Sequence, residues 1–130
     1  MRVWKIVAAA AALISVPTLA HGHYLTVRVH SGETKIVWRY ANWTKDCTPE
    51  GGVISVKTKP EHGKLTKNPG PVMLTRPRFQ EMVHCLGQTR EGMIVSYTSD
   101  PGFRGHDSFV LEVKYPGHPT DVDTFTIMVQ

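Results

Sequence analysis

Short segments in which apolar and polar residues alternate, each closed by glycine or proline, recur along this chain from Tyr24 to its end. A period of two puts one set of side chains on each face of an extended strand, so such segments suit a half-buried sheet rather than a helix. In Tyr24 to His30, Leu25, Val27 and Val29 fall on one side, with Thr26, Arg28 and His30 on the other. The pattern resumes after Ser31-Gly32 over Thr34 to Trp43, with Ile36, Trp38 and Tyr40 in phase. Val53 to Lys57 follows Gly51-Gly52 and runs toward a turn at Pro60-Glu61-His62-Gly63. Lys64-Leu65-Thr66 and Val72-Met73-Leu74 read as two short strands parted by Asn68-Pro69-Gly70-Pro71. Met93 to Tyr97, Ser108 to Tyr115 and Phe125 to Val129 complete the set. Seven or eight short strands at this spacing predict an all-β sandwich or barrel. One stretch departs from the pattern. Phe79, Met82, Val83 and Leu86 recur at helical spacing behind Pro77, a residue suited to a first helical turn. It reads as a long connection, with a short helix as the alternative.

The first twenty residues read as an export leader. Arg2 and Lys5 make a positive start, Ile6 to Val16 is apolar except for Ser15, and Thr18-Leu19-Ala20 places small residues before a cut after Ala20. An apolar run of about 11 residues is too short for a membrane span, which needs about 20. The expectation is therefore a cleaved signal peptide over 1–20 and one domain over 21–130, in the periplasm or outside the cell, with no membrane span in the mature form. Loss of Arg2 and Lys5 lowers the formal charge from +4 to +2, with 13 basic against 11 acidic residues. The remaining charges are scattered. No dense basic run of the kind that binds nucleic acid occurs.

Cys47 and Cys85 are the two cysteines. In an oxidising compartment an even pair predicts a disulfide, and the loop it closes is valued at roughly 4 kcal/mol by chain entropy. A redox C-x-x-C does not fit this spacing, and a thiolate metal site needs further ligands nearby.

Pro60-Glu61-His62-Gly63-Lys64-Leu65-Thr66, followed by Tyr97-Thr98-Ser99-Asp100-Pro101-Gly102-Phe103-Arg104-Gly105-His106-Asp107-Ser108-Phe109, resembles the motifs of bacterial immunoglobulin-like and cadherin-like domains. Those families show P-x-H-G-x-(L/V)-T, then Y-T-P-x-x-G-F-x-G-x-D-S-F, and a closing strand similar to Thr124-Phe125-Thr126-Ile127-Met128-Val129. The likeness spans residues 53 to 130; Ser99 stands at the usual proline and His106 at a variable position. The resemblance implies an immunoglobulin-like β-sandwich and a structural role for the motif. Tyr97 ends a strand, Gly102 and Gly105 permit backbone geometry that a β-carbon would strain, and Phe103 tucks under the loop. Asp107 caps the turn with its carboxylate, and Phe109 re-enters the core. Such a corner between sheets performs no chemistry, so the resemblance speaks to fold rather than activity.

No G-x-S-x-G, P-loop, C-x-x-C or H-E-x-x-H is present, and the seven histidines are scattered singly. A catalytic set is not legible and no enzyme is expected. Asp121 and Asp123 form a D-x-D that can supply oxygens to calcium but reads as solvated surface. The sharpest candidate is the new N-terminus, His21-Gly22-His23. A free amine, two deprotonated amides and the His23 imidazole can wrap square-planar Cu(II). The amine and side chain of His21 with a distant histidine form a second arrangement. Trp38, Tyr40 and Trp43 read as core, or else as a stacking platform for a sugar or peptide. Asn42-Trp43-Thr44 fits the glycosylation triplet. The expectation is a non-catalytic binding or structural module for a protein or glycan partner, without cofactor; a copper-binding protein is the alternative.

Overall fold

The computed structural model describes residues 11–15 and 22–130. Of the expected leader, only residues 11–15 are described, without regular structure and exposed; its cut site and His21 lie outside the described residues. No helix among the described residues is long and apolar enough to cross a membrane.

Among the described residues seven strands form two sheets: β1 (Tyr24–Val29), β2 (Thr34–Tyr40), β3 (Val53–Thr58), β4 (Gly63–Met73), β5 (Thr89–Ser99), β6 (Gly105–Lys114) and β7 (Asp121–Val129). One sheet has the order β1-β7-β6-β3 and the other β2-β5-β4. β1 lies parallel to β7, and the remaining pairings are antiparallel. The alternation seen in sequence is what fills the core. Phe109, Leu111 and Val113 of β6 and Phe125, Ile127 and Val129 of β7 are buried in one phase, against Val37, Tyr40, Val95 and Tyr97 of the other sheet. The Phe109 and Phe125 rings stack with centroids 4.6 Å apart. Burying each such side chain contributes about 1.5–3 kcal/mol.

Three local readings are corrected. The two short strands expected around Asn68 to Pro71 are one continuous strand, β4, carrying both prolines. β4 is an edge strand, whose alternate N–H groups point away from its neighbour, and Pro69 and Pro71 are in phase with one another. In β2 a register shift between Ile36 and Trp38 reverses the phase. Val37 is buried and Ile36 exposed, so Ile36 does not share the side of Trp38 and Tyr40. Pro77 does not begin a helix: Phe79 is extended (φ −131°, ψ 153°), and a short 3-10 helix follows over Gln80–Cys85. Only Met82 and Cys85 of that helix are buried. Phe79, Val83 and Leu86 stay exposed, since a tighter three-residue turn does not line up a 3.6-residue stripe.

Cys47 and Cys85 form the disulfide. It sits in a second cluster with Trp43, Leu74 and Met82, so Trp43 packs against the bridge instead of ending β2. Cys47 has φ 62°, a left-handed conformation that favours glycine. The bridge and a 2.8 Å bond from Arg90 Nε to the Cys47 carbonyl hold it there.

Candidate functional site

The motif residues meet at one corner. The Tyr97 hydroxyl, on β5, donates to Asp107 Oδ2, on β6, across 2.7 Å, so this bond joins the two sheets. Asp107 also accepts from the Glu61 and His62 amides at 3.0 Å and from the Ser108 amide at 2.9 Å. The turn it caps is thus chiefly the Pro60–Gly63 turn, and the two halves of the motif fold onto each other. Phe103 stacks on His62 with ring centroids 4.0 Å apart, and Gly102 and Gly105 have φ of 82° and 133°. Burial acts to raise the Asp107 pKa, but the hydrogen bonds from Tyr97 and from the Glu61, Ser108 and His62 amides outweigh it and hold the carboxyl below its ordinary value. Burial, followed by the bond to Asp107, pushes the Tyr97 hydroxyl up. The Asp107 carboxylate and the Tyr97 hydroxyl are both engaged by these bonds.

A second junction was not foreseen. Asp123 is 2% exposed rather than solvated. Its Oδ2 accepts from the Tyr40 hydroxyl at 2.7 Å, and its Oδ1 lies 3.0 Å from both the backbone nitrogen and Nδ1 of His23. Burial, then the bond to Asp123, raises the Tyr40 pKa. With Asp123 accepting from Tyr40 and from the His23 amide, Nδ1 is the donor in the third contact, which leaves Nε2 as the ring's other nitrogen. Gly22 permits this docking: a β-carbon there would collide with the Val122 carbonyl. The signal for Asp123 was its phase, since Asp123, Phe125, Ile127 and Val129 all point inward.

Beside this junction a cleft of about 830 Å3 opens where β2 of one sheet meets β6 and β7 of the other, with residues 75–78 along a further side. The Arg76 guanidinium lies 4.6 Å from the Trp38 ring centroid, and that of Arg78 lies 5.6 Å from the Tyr115 ring. Arg78 also pairs with Asp121 at 3.2 Å. Burial pushes the Tyr115 hydroxyl up to about 12, against the pull of Arg78. His23 stands at the rim, its ring 6.4 Å from that of Trp38. Among the described residues lining the cleft there is no serine, cysteine or lysine, and Tyr40, Asp121 and Asp123 are engaged by protein partners.

Asp121 and Asp123 share a face; Asp121 Oδ2 pairs with Arg78, and the Asp123 oxygens face Tyr40 and His23. A four-nitrogen copper wrap uses the amide and Nδ1 of His23, and both face Asp123, so that wrap requires His23 to leave its carboxylate. His84 lies beside the bridge, its Nε2 3.6 Å from Cys85 Sγ, the only ligand-rich group of this type among the described residues; its two sulfurs are joined to each other. Asn42 is buried and its Nδ2 donates to Glu50 at 2.6 Å, so the glycosylation triplet is inaccessible. Of the three aromatics, Tyr40 and Trp43 are core, while Trp38 is half-buried on the cleft.

No family model and no curated protein matches the chain. Among solved structures, the solution structure of Amebosin is similar at 18% identity and a TM-score of 0.44, covering 85% of this chain and 98% of its own. A likeness at that level carries no argument about function.

Proposed function

We propose that the protein is an exported, immunoglobulin-like β-sandwich that binds a glycan or protein ligand without catalysis, in the periplasm or outside the cell. The strand order β1-β7-β6-β3 facing β2-β5-β4, with β1 parallel to β7, supports the immunoglobulin-like reading, as does the paired motif at the Tyr97–Asp107 corner. The disulfide and the leader-like first twenty residues support export. The observation that carries the binding reading is the cleft itself. Its two arginine–aromatic pairs are already formed, while Asp121, Asp123 and Tyr40 are engaged by protein partners. Preformed clefts of this size that mix rings with a few polar groups are characteristic of ligand sites.

The test is a screen of immobilised glycans and peptides with the wild-type protein and with Trp38→Ala. Binding that Trp38→Ala abolishes, with the ligand recovered at unchanged mass, supports the reading. Binding indifferent to Trp38 removes the cleft, and a ligand of altered mass removes the absence of catalysis.

Copper binding at a mature His21 start is the second reading. His23 has its Nδ1 anchored on a buried carboxylate, an orientation common in metal-binding histidines that presents Nε2; it supports coordination through Nε2 and opposes the four-nitrogen wrap, which needs Nδ1. A Cu(II) titration of protein shown by mass spectrometry to start at His21, with wild type and His23→Ala of equal affinity, would eliminate it.

A further inference from the structure

We infer that the cleft takes a carboxylate-bearing saccharide and that Arg76 is the residue that binds its carboxylate; this rests on the cleft being the binding site. Three arginines line it: Arg39, Arg76 and Arg78. Arg78 is spent on Asp121. Among the described residues no carboxylate lies within 4.0 Å of Arg76 or Arg39. The two acids of the cleft are engaged, so the charged groups that remain for a ligand are positive and call for an anion.

The setting of Arg76 makes it the recognition group. A guanidinium over an indole is held through the ring face, while its N–H groups lie in its own plane and remain for an acceptor. Those donors match a carboxylate in bidentate fashion, and holding the side chain on Trp38 beforehand lowers the entropy lost on binding. Pro77, between the two stacked arginines, stiffens the segment that carries them.

The size and lining set the rest of the ligand. A cleft of about 830 Å3 is far larger than a bare inorganic anion fills and falls within the range of sites for small organic ligands. The Trp38 and Tyr115 rings stand there with the Thr75 hydroxyl and the arginine guanidinium groups, an environment suited to a body with C–H faces and hydroxyls. An extended acidic peptide fits less well. It would need a regular strand edge to pair with, and β2 is bulged between Ile36 and Trp38, at the cleft. A uronic-acid unit meets all of these conditions.

Calorimetric titration with a uronic-acid disaccharide, its neutral hexose counterpart and a blocked glutamyl dipeptide tests this. The NMR resonance of the Trp38 indole N–H is followed in parallel. The expected result is binding of the acidic sugar, with the neutral sugar at least about tenfold weaker, the factor that losing a charge-assisted contact produces. Arg76→Gln, at an exposed position, is expected to keep its melting temperature and to lose about tenfold or more, and Arg76→Lys to recover only part of that. Equal binding of acidic and neutral sugars, or an unchanged affinity in Arg76→Gln, overturns the carboxylate assignment while the cleft stands if the Trp38 resonance moves. Preference for the dipeptide overturns the saccharide class. No heat from any of the three, with an unmoved Trp38 resonance, overturns this inference and the cleft together.

Discussion

The Tyr40 hydroxyl and Asp123 Oδ2, on β2 and β7 of opposite sheets, are 2.7 Å apart, and Tyr97 and Asp107 repeat that relationship at the same distance from β5 to β6. In each case an aspartate in the inward phase of its strand accepts a hydrogen bond from a tyrosine hydroxyl of the facing sheet. Each carboxylate also accepts from backbone outside its own strand: the Glu61 and His62 amides of the Pro60–Gly63 turn at one corner and the His23 amide, just ahead of β1, at the other. A buried carboxylate is costly unless fully paired. Among the described residues no buried side-chain polar atom lacks a partner.

The first corner sets an order among variants. Asp107→Ala leaves the Tyr97 hydroxyl and the Glu61 and His62 amides without their acceptor, and a loss of about 2–4 kcal/mol is expected. Tyr97→Phe removes one donor of several and should cost about 1–2 kcal/mol. Denaturant midpoints read both. Equal costs would mean that the carboxylate does not organise the turn.

At the second corner Gly22→Ala is expected to drive His23 off Asp123, because the added carbon meets the Val122 carbonyl. The observable is amide exchange: the His23 N–H should lose protection while those of β6 keep theirs. Unchanged protection at His23 would contradict the docking.

Stability is expected to fall at both ends of the pH scale. The folded-state pKa of Asp107 is depressed, so its contribution is present above the unfolded value of about 4 and is lost as pH falls through the folded one. Tyr40, Tyr97 and Tyr115 have raised values. Their contribution is complete below about pH 10 and declines above it, since the unfolded chain ionises first, at up to about 1.4 kcal/mol per pH unit for each tyrosine. Tyr97→Phe should flatten the alkaline limb. A limb of the same slope in that variant would exclude Tyr97 from it.

Removing the bridge by a paired Cys47→Ala and Cys85→Ala change is expected to cost about 3–4 kcal/mol. The cluster around Trp43, Leu74 and Met82 should loosen first, seen as a red shift of tryptophan emission before global unfolding. Simultaneous loss of both clusters would show that the bridge supports the whole sandwich.

Strand number, the disulfide and the Tyr97–Phe109 corner were legible because each rests on local pattern or on a motif. The second corner was less so. Asp123 was in phase with Phe125 and Ile127, yet a charged residue beside another reads as surface until its partners, Tyr40 and His23, are brought to it from the far end of the chain. Nothing local joins Arg76 to Trp38 either; they meet only because β4 runs unbroken through two prolines and delivers its trailing segment to the cleft. The bulge at Val37 likewise depends on pairing with β5 and leaves no mark in the alternation itself.

The most direct measurement of the binding account is NMR mapping of the 15N-labelled protein with saturating uronic-acid disaccharide. Shifts are expected at the Arg76 Nε–H and the Trp38 indole N–H, spreading to His23 and Thr75, with the Tyr97–Asp107 corner unmoved. Shifts confined to that corner or to the exposed face of the Gln80–Cys85 turn, or none at all, would contradict it.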